Sequence, residues 1–229
     1  TYYTMTRYAP GDDGPVRTAR YNIVLNALYE RYYFHTHDMG NWNDTLRDRY
    51  DLAAADTAYC SEFYANAAKP FLEDLNPCDY DASRPWCDPS QTSHNESSLV
   101  EIRDWFIDPR WVGSTPFAYN DGDMTARKPG DWLGINPSSE SSLGTHTQMF
   151  LAWDATAEKY WYVEGNGSTS FGYGTIRHTV NVGSTDQCDD GGDRFYCPAG
   201  ASAHCPIISG KACFSVKSTG SINNSNMLD

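Results

Sequence analysis

No apolar run in this 229-residue chain is long enough to cross a bilayer. The longest are YNIVLNALY at 21–29 and MFLAW at 149–153, against the roughly 20 residues that a spanning helix needs. Basic residues are also scarce: 17 Lys and Arg stand against 30 Asp and Glu, a formal charge of −13. A surface of that sign repels phosphate backbones and anionic lipid, so nucleic acid and membrane are not expected as partners. There is no C-x2-C pair to nucleate a zinc site and no internal repeat. The opening TYYTMTRYAP has no initiator Met, basic stretch or apolar core of a signal sequence, so a processed start is expected. An even cysteine count is missing too, since there are seven.

Packing material is plentiful. Aromatics make up 14% of the residues, with 16 Tyr and 7 Trp, far more than a disordered chain carries. The length fits one core, and a single domain that remains a monomer is expected. Six cysteines fall into close pairs across segments rich in Gly, Pro and Asp: Cys78 with Cys87, Cys188 with Cys197, and Cys205 with Cys213. Nearest-neighbour disulfides are the favoured pairing among several, and they imply an oxidising compartment, secreted or periplasmic. Cys60 is left over, inside the alanine-rich AADTAYCSEFYANAAKP.

The pattern at 17–34, with Ile23, Leu25 and Leu28 among aromatics, predicts a helix. A second helix is expected from about Thr57, capped by Asp56 or Thr57, to Lys69, because Pro70 resists continuation. Residues 76–98 read as a clamped loop, 99–109 as a short helix stopped by Pro109, and the chain to about 125 as turns. Four aromatic and β-branched runs follow as antiparallel strands: KPGDWLGIN (128–136), HTQMFLAWD (146–154), KYWYVEGN (159–166) and GTIRHTVNV (174–182). DATAE between the second and third predicts a hairpin turn. Helices first and strands afterwards give an α+β fold. The tail from 183 reads as a disulfide-stapled extension ending in a mobile STGSINNSNMLD.

A nucleophilic cysteine needs a lowered pKa, a base, and a polar group to orient that base. Cys60 in the first turn of a helix meets the first need, because the helix dipole and its unpaired N–H groups favour a thiolate. If 146–154 and 159–166 form a hairpin, His146 at the start of one strand lies beside Glu164 and Asn166 at the end of the other. His178 in TIRHTV is the rival base should the register differ. The HTH at His35 and His37 invites a metal, since i and i+2 share a strand face, but no third ligand has an obvious spacing. The acidic groups at 11–13, 121–123 and 189–193 lack calcium-loop spacing. Neither a metal nor a cofactor is called for.

In order, AYCSEF, KPGDWLGIN, GTHTQMFLAWD, YWYVEGN and GTIRH resemble the papain-like amidases and endopeptidases of the CHAP and NlpC/P60 families over about residues 55–180. Here Thr145 separates Gly144 from His146, where those families usually join Gly to His directly. The resemblance implies a papain-like fold with N-terminal helices and a central antiparallel sheet. The hydrolase domain would cover 1–182, carry a disulfide-clamped insertion at about 70–125, and be followed by the 183–229 extension. It also implies Cys60 as nucleophile, His146 as base and acid, and Asn166 or Glu164 as orienting group. Backbone N–H groups at the helix start would hold the oxyanion, with Tyr59 as a side-chain candidate. The expected substrate is an amide bond, foremost in peptidoglycan. Two rival readings are a secreted binding module on the same scaffold, and an enzyme that transfers an acyl group to an amine.

Overall fold

The computed structural model describes residues 13–36, 60–72, 99–107, 116–119, 124–136, 146–156, 159–165, 175–178, 180–181, 194–196, 207–208 and 211–228. Helix α1 runs Gly14–Thr36, beginning one turn before the hydrophobic pattern suggests. Asp13 explains the early start: its Oδ1 accepts from the Val16 N–H at 2.8 Å, and its carbonyl accepts from Arg17 N at 3.0 Å. Pro15 fits this first turn because no intrahelical partner awaits its missing N–H. Val16, Ala19, Arg20, Ile23, Val24 and Ala27 form the buried stripe, and Leu25 faces outward instead.

Helix α2, Cys60–Ala68, starts at the odd cysteine itself and passes into a 3-10 turn over Lys69–Phe71, where Pro70 ends the α-helical ladder. The proposed caps Asp56 and Thr57 lie outside the described residues. Phe63, Tyr64, Ala65, Ala67 and Ala68 are all buried, and the small alanines let α1 approach until Asn26 Nδ2 reaches the Ala67 carbonyl at 3.2 Å. Helix α3, Leu99–Phe106, buries Ile102, Trp105 and Phe106.

The described strands pair antiparallel. They are β1 (Phe117–Tyr119), β2 (Trp132–Asn136), β3 (His146–Asp154), β4 (Lys159–Glu164), β5 (Thr175–His178), β6 (Val180–Asn181), β7 (Arg194–Tyr196), β8 (Ile207–Ile208) and β9 (Lys211–Gly220). The sheet order is β5-β4-β3-β2-β9-β7-β6, with β1 and β8 also on β9. With helices and an antiparallel sheet in one chain, the fold is α+β. Trp132, Met149 and Val163 face the helices, while Leu133, Ile135, Phe150, Tyr160, Tyr162 and Val216 build a second cluster. That division follows the period-2 alternation of side chains along each strand.

Four expectations change. The run 128–136 is a strand only from Trp132, because Lys128-Pro129-Gly130-Asp131 makes a type II turn: Asp131 N bonds Lys128 O at 3.0 Å, and Gly130 takes φ 89°. The turn-rich stretch before 125 contains β1, paired to β9 through Phe117↔Gly220. The tail is not peripheral in its described part, since β9 lies between β2 and β7, and Ile222 and Met227 are fully buried beyond it. His35 belongs to α1 rather than to a strand, which removes the i, i+2 reasoning for a metal at HTH, and His37 lies outside the described residues. Cys78, Cys87, Cys188, Cys197 and Cys205 also lie outside them, and with them the expected disulfides; Cys213 is on β9 opposite Tyr196.

The turn at 128–131 ties the layers together. Arg20 Nη1 bonds Asp131 Oδ1 at 2.5 Å and the Pro129 carbonyl at 3.0 Å, and Nη2 donates to the Ile222 carbonyl. Asp131 Oδ2 accepts from Lys128 N at 3.0 Å and from Ser221 Oγ at 2.9 Å. Tyr64 donates its hydroxyl to the Gly130 carbonyl at 2.9 Å. Burial, then the Asp131 charge, pushes this phenol well above its ordinary pKa, so it stays a donor. One ion pair thus fixes helix α1, the entry to β2 and the C-terminal segment.

Candidate active site

Cys60 opens α2, where the first N–H groups of a helix have no intrahelical acceptor and the dipole is positive. Helix α2 packs on β3, whose first residue is His146. In the β3–β4 register Met149 faces Val163 and Phe150 faces Tyr162, so the end of β4 carries Glu164 back to the start of β3. His146 Nε2 meets Glu164 Oε2 at 2.8 Å. That contact leaves Nδ1 as the ring nitrogen that Glu164 does not engage, and the imidazole is coupled electrostatically to the thiol of Cys60. Cys60 is 8% exposed, His146 0% and Glu164 4%, so the three groups meet almost out of water.

Burial alone would raise the thiol pKa. The positive imidazole, its hydrogen bond, the Thr147 backbone N–H and the Ser61 hydroxyl together outweigh burial and bring Cys60 below its ordinary 9.0. Burial likewise opposes a charged His146, but the Cys60 charge and hydrogen bond, then the Glu164 hydrogen bond and charge, push it up to about 10. Both directions favour a thiolate–imidazolium pair, with the Glu164 side chain on the far ring nitrogen. An imidazolium donates from both nitrogens, so its Nε2–H points at Glu164.

No family model, curated protein or solved structure matches the chain.

Of the residues singled out from the sequence, Cys60, His146 and Glu164 come together, and Asn166 and Tyr59 lie outside the described residues. His178 sits on β5 opposite Trp161, and the imidazole that couples to the thiol is that of His146. Among the described residues no group of His, Cys, Asp or Glu is arranged to hold a metal ion, and no helix is long and apolar enough to cross a membrane.

Two further residues escape a reading of the sequence. Gln148 Nε2 donates to Glu164 Oε2 at 3.3 Å, and Gln148 Oε1 accepts from the Tyr160 hydroxyl at 2.7 Å. Both side chains are buried. Burial, then Tyr162 and the Glu164 charge, raises the Tyr160 pKa well above 10, which keeps it an O–H donor. The donors therefore converge on Glu164, Tyr160 acting through Gln148 from one side and the His146 Nε2–H from the other. Strand alternation puts 146 and 148, and 160 and 164, on common faces, but only the observed register brings the two sets together.

Proposed function

We propose that the chain is a cysteine hydrolase of papain-like fold that cleaves an amide bond, foremost in peptidoglycan. The observation that carries this reading is the charge-coupled pair of Cys60 and His146 at the start of a helix, with Glu164 on the far ring nitrogen. A structural thiol in an apolar core has its pKa raised, whereas this one is lowered. The CHAP and NlpC/P60 resemblance supplies the substrate class.

In the proposed reaction the Cys60 thiolate forms an S–C bond to the carbonyl carbon, and the C=O electron pair moves to oxygen. Backbone N–H groups at the α2 terminus receive that oxyanion. As the C–N bond breaks, the Nδ1 proton of His146 passes to the leaving amine. The neutral imidazole then takes a proton from water, whose oxygen attacks the thioester carbon. The S–C bond breaks, the acid leaves, and the thiolate–imidazolium pair returns. Glu164 keeps the imidazole oriented and stabilises its charge in both halves.

The test is mass spectrometry of peptidoglycan digested by the wild type and by Cys60→Ser. Released fragments in the wild type and none in the variant support the reading. Equal release by both removes Cys60 as nucleophile, and release by neither removes peptidoglycan as substrate. With an added primary amine, a product carrying that amine reassigns the chemistry to transfer.

A further inference from the structure

Trp132 and Thr147 meet behind the site. The register sets Trp132 opposite Met149 and Gly134 opposite Thr147, so the indole lies diagonal to Thr147 on the face of the sheet that meets the helices. Gly134, directly across from Thr147, puts no side chain between them. The indole Nε1–H donates to Thr147 Oγ1 at 3.2 Å, and the two residues are 0% and 1% exposed. Rings hold the indole as well. Phe106 of α3 stacks within 12° of it at 6.3 Å between centroids, and Phe117 of β1 within 27° at 6.2 Å. Helix α3, β1 and β2 together aim its N–H.

That hydrogen bond holds the start of β3. Thr147 stands between His146 and Gln148, whose side chains turn to the other face of the strand and reach Glu164. On its own face Thr147 is turned to the layer of α2, which packs on β3 and opens at Cys60. Its backbone N–H is among the groups that favour the Cys60 thiolate. A β-branched side chain has few χ1 choices, so fixing Oγ1 also fixes the backbone beside His146. Sites gain their geometry from such supporting contacts. We infer that Trp132 is a positioning residue of the Cys60 site: through Thr147 Oγ1 its indole N–H holds the start of β3, and with it His146, against the start of α2.

The inference rests on the thiolate–imidazolium reading of Cys60 and His146, and adds to it a residue that acts only through Thr147. A buried indole N–H finds an acceptor in most folds, so the bond would also suit a purely structural ring. The two roles differ in what they do to the sulfur.

The test is the pH profile of iodoacetamide alkylation at Cys60, with urea unfolding alongside, for the wild type, Thr147→Val, Thr147→Ser and Trp132→Phe. Thr147→Val keeps the shape and removes the acceptor, Thr147→Ser keeps the acceptor, and Trp132→Phe keeps an aromatic ring and removes the donor. The lower inflection should move upward in Thr147→Val and Trp132→Phe, so that alkylation at pH 6 falls at least about threefold, or about half a pKa unit. Thr147→Ser should stay within about twofold of the wild type. If Trp132→Phe does not fold, Thr147→Val against Thr147→Ser decides. Lower stability in urea with the profile unmoved makes the hydrogen bond structural and overturns the inference, while the hydrolase reading stands. An equal displacement in Thr147→Ser overturns it too, because the hydroxyl is then not what matters. A wild-type inflection at 9 or above removes the thiolate–imidazolium reading, and the inference with it.

Discussion

His146 Nε2 and Glu164 Oε2 lie 2.8 Å apart, both buried, with the thiol of Cys60 coupled to the same imidazole. The carboxylate thus favours the protonated ring, and the protonated ring favours the thiolate. From this relation follows a pH profile. Below the lowered pKa of Cys60 the sulfur is protonated and slow; above it, and up to about pH 10 where His146 loses its proton, the ion pair persists. Iodoacetamide alkylation of Cys60 should therefore show its lower inflection below pH 9 and change again near pH 10. A single inflection at 9 or higher is the outcome that excludes the pair.

Removing the cation should reverse the sign of the shift. In His146→Gln the lowering contributions of the imidazole are lost and burial remains, so the Cys60 pKa should rise above 9.0. Alkylation at pH 6 should fall by at least about tenfold, since each pKa unit removes a factor of ten in thiolate below the midpoint. A variant that alkylates like the wild type at pH 6 would show that the helix terminus alone activates the sulfur.

Gln148 and Tyr160 act through Glu164, and their effects should scale with distance from the imidazole. Tyr160→Phe removes the 2.7 Å hydrogen bond to Gln148 and leaves a buried amide oxygen without that donor, at a cost of about 1–3 kcal/mol. Glu164→Gln keeps the shape but deletes the charge, and should lower the His146 pKa from about 10. The discriminating readout is the upper inflection of the alkylation profile: moved furthest by Glu164→Gln, less by Gln148→Leu and least by Tyr160→Phe. Equal inflections in all three would make the chain purely structural.

How far the site could be read from the sequence depends on which parts are local. His146 and Glu164 meet because a hairpin brings the start of one strand to the end of the next, and HTQMFLAWD and KYWYVE announce those strands by their β-branched and aromatic residues. Cys60 at a helix start was equally legible, although the helix begins three residues later than Thr57 suggested. By contrast, β9 is written in small polar residues, and Ser218, Thr219 and Gly220 are buried in the sheet. Polarity read as exposure fails there because the neighbours, not the strand, supply the bulk: Phe106 and Trp132 stack with centroids 6.3 Å apart, and Phe117 lies 6.2 Å from Trp132. The KPGD turn misled in the opposite way, its strand-like continuation hiding a Gly that needs φ 89°.

The Arg20–Asp131 pair is 2% and 0% exposed, so breaking it strands a charge. Arg20→Ala and Asp131→Ala should each lose about 3–5 kcal/mol in urea unfolding. Because each variant is burdened by the partner left behind, Arg20→Met with Asp131→Leu should cost less than the two single changes summed. Additive losses would mean that the Ile222 and Ser221 contacts, rather than the ion pair, hold this corner.

Gly220 gives the last prediction, since it sets how closely α3 can lie on the sheet. A methyl group there would overlap the ring of Phe106, which is itself fully buried, stacked on Trp132 and tilted at 53° to Tyr64. The ring cannot swing away without disturbing that stack, so Gly220→Ala should destabilise by about 1–3 kcal/mol through overpacking. Phe106→Ala alone opens a cavity and should cost about 3–5 kcal/mol. In the double variant the new methyl enters the space the ring has left, and the loss should fall below the sum of the two by about 1 kcal/mol or more. Strict additivity in urea unfolding would place the strain of Gly220→Ala in the backbone of β9 instead of against Phe106.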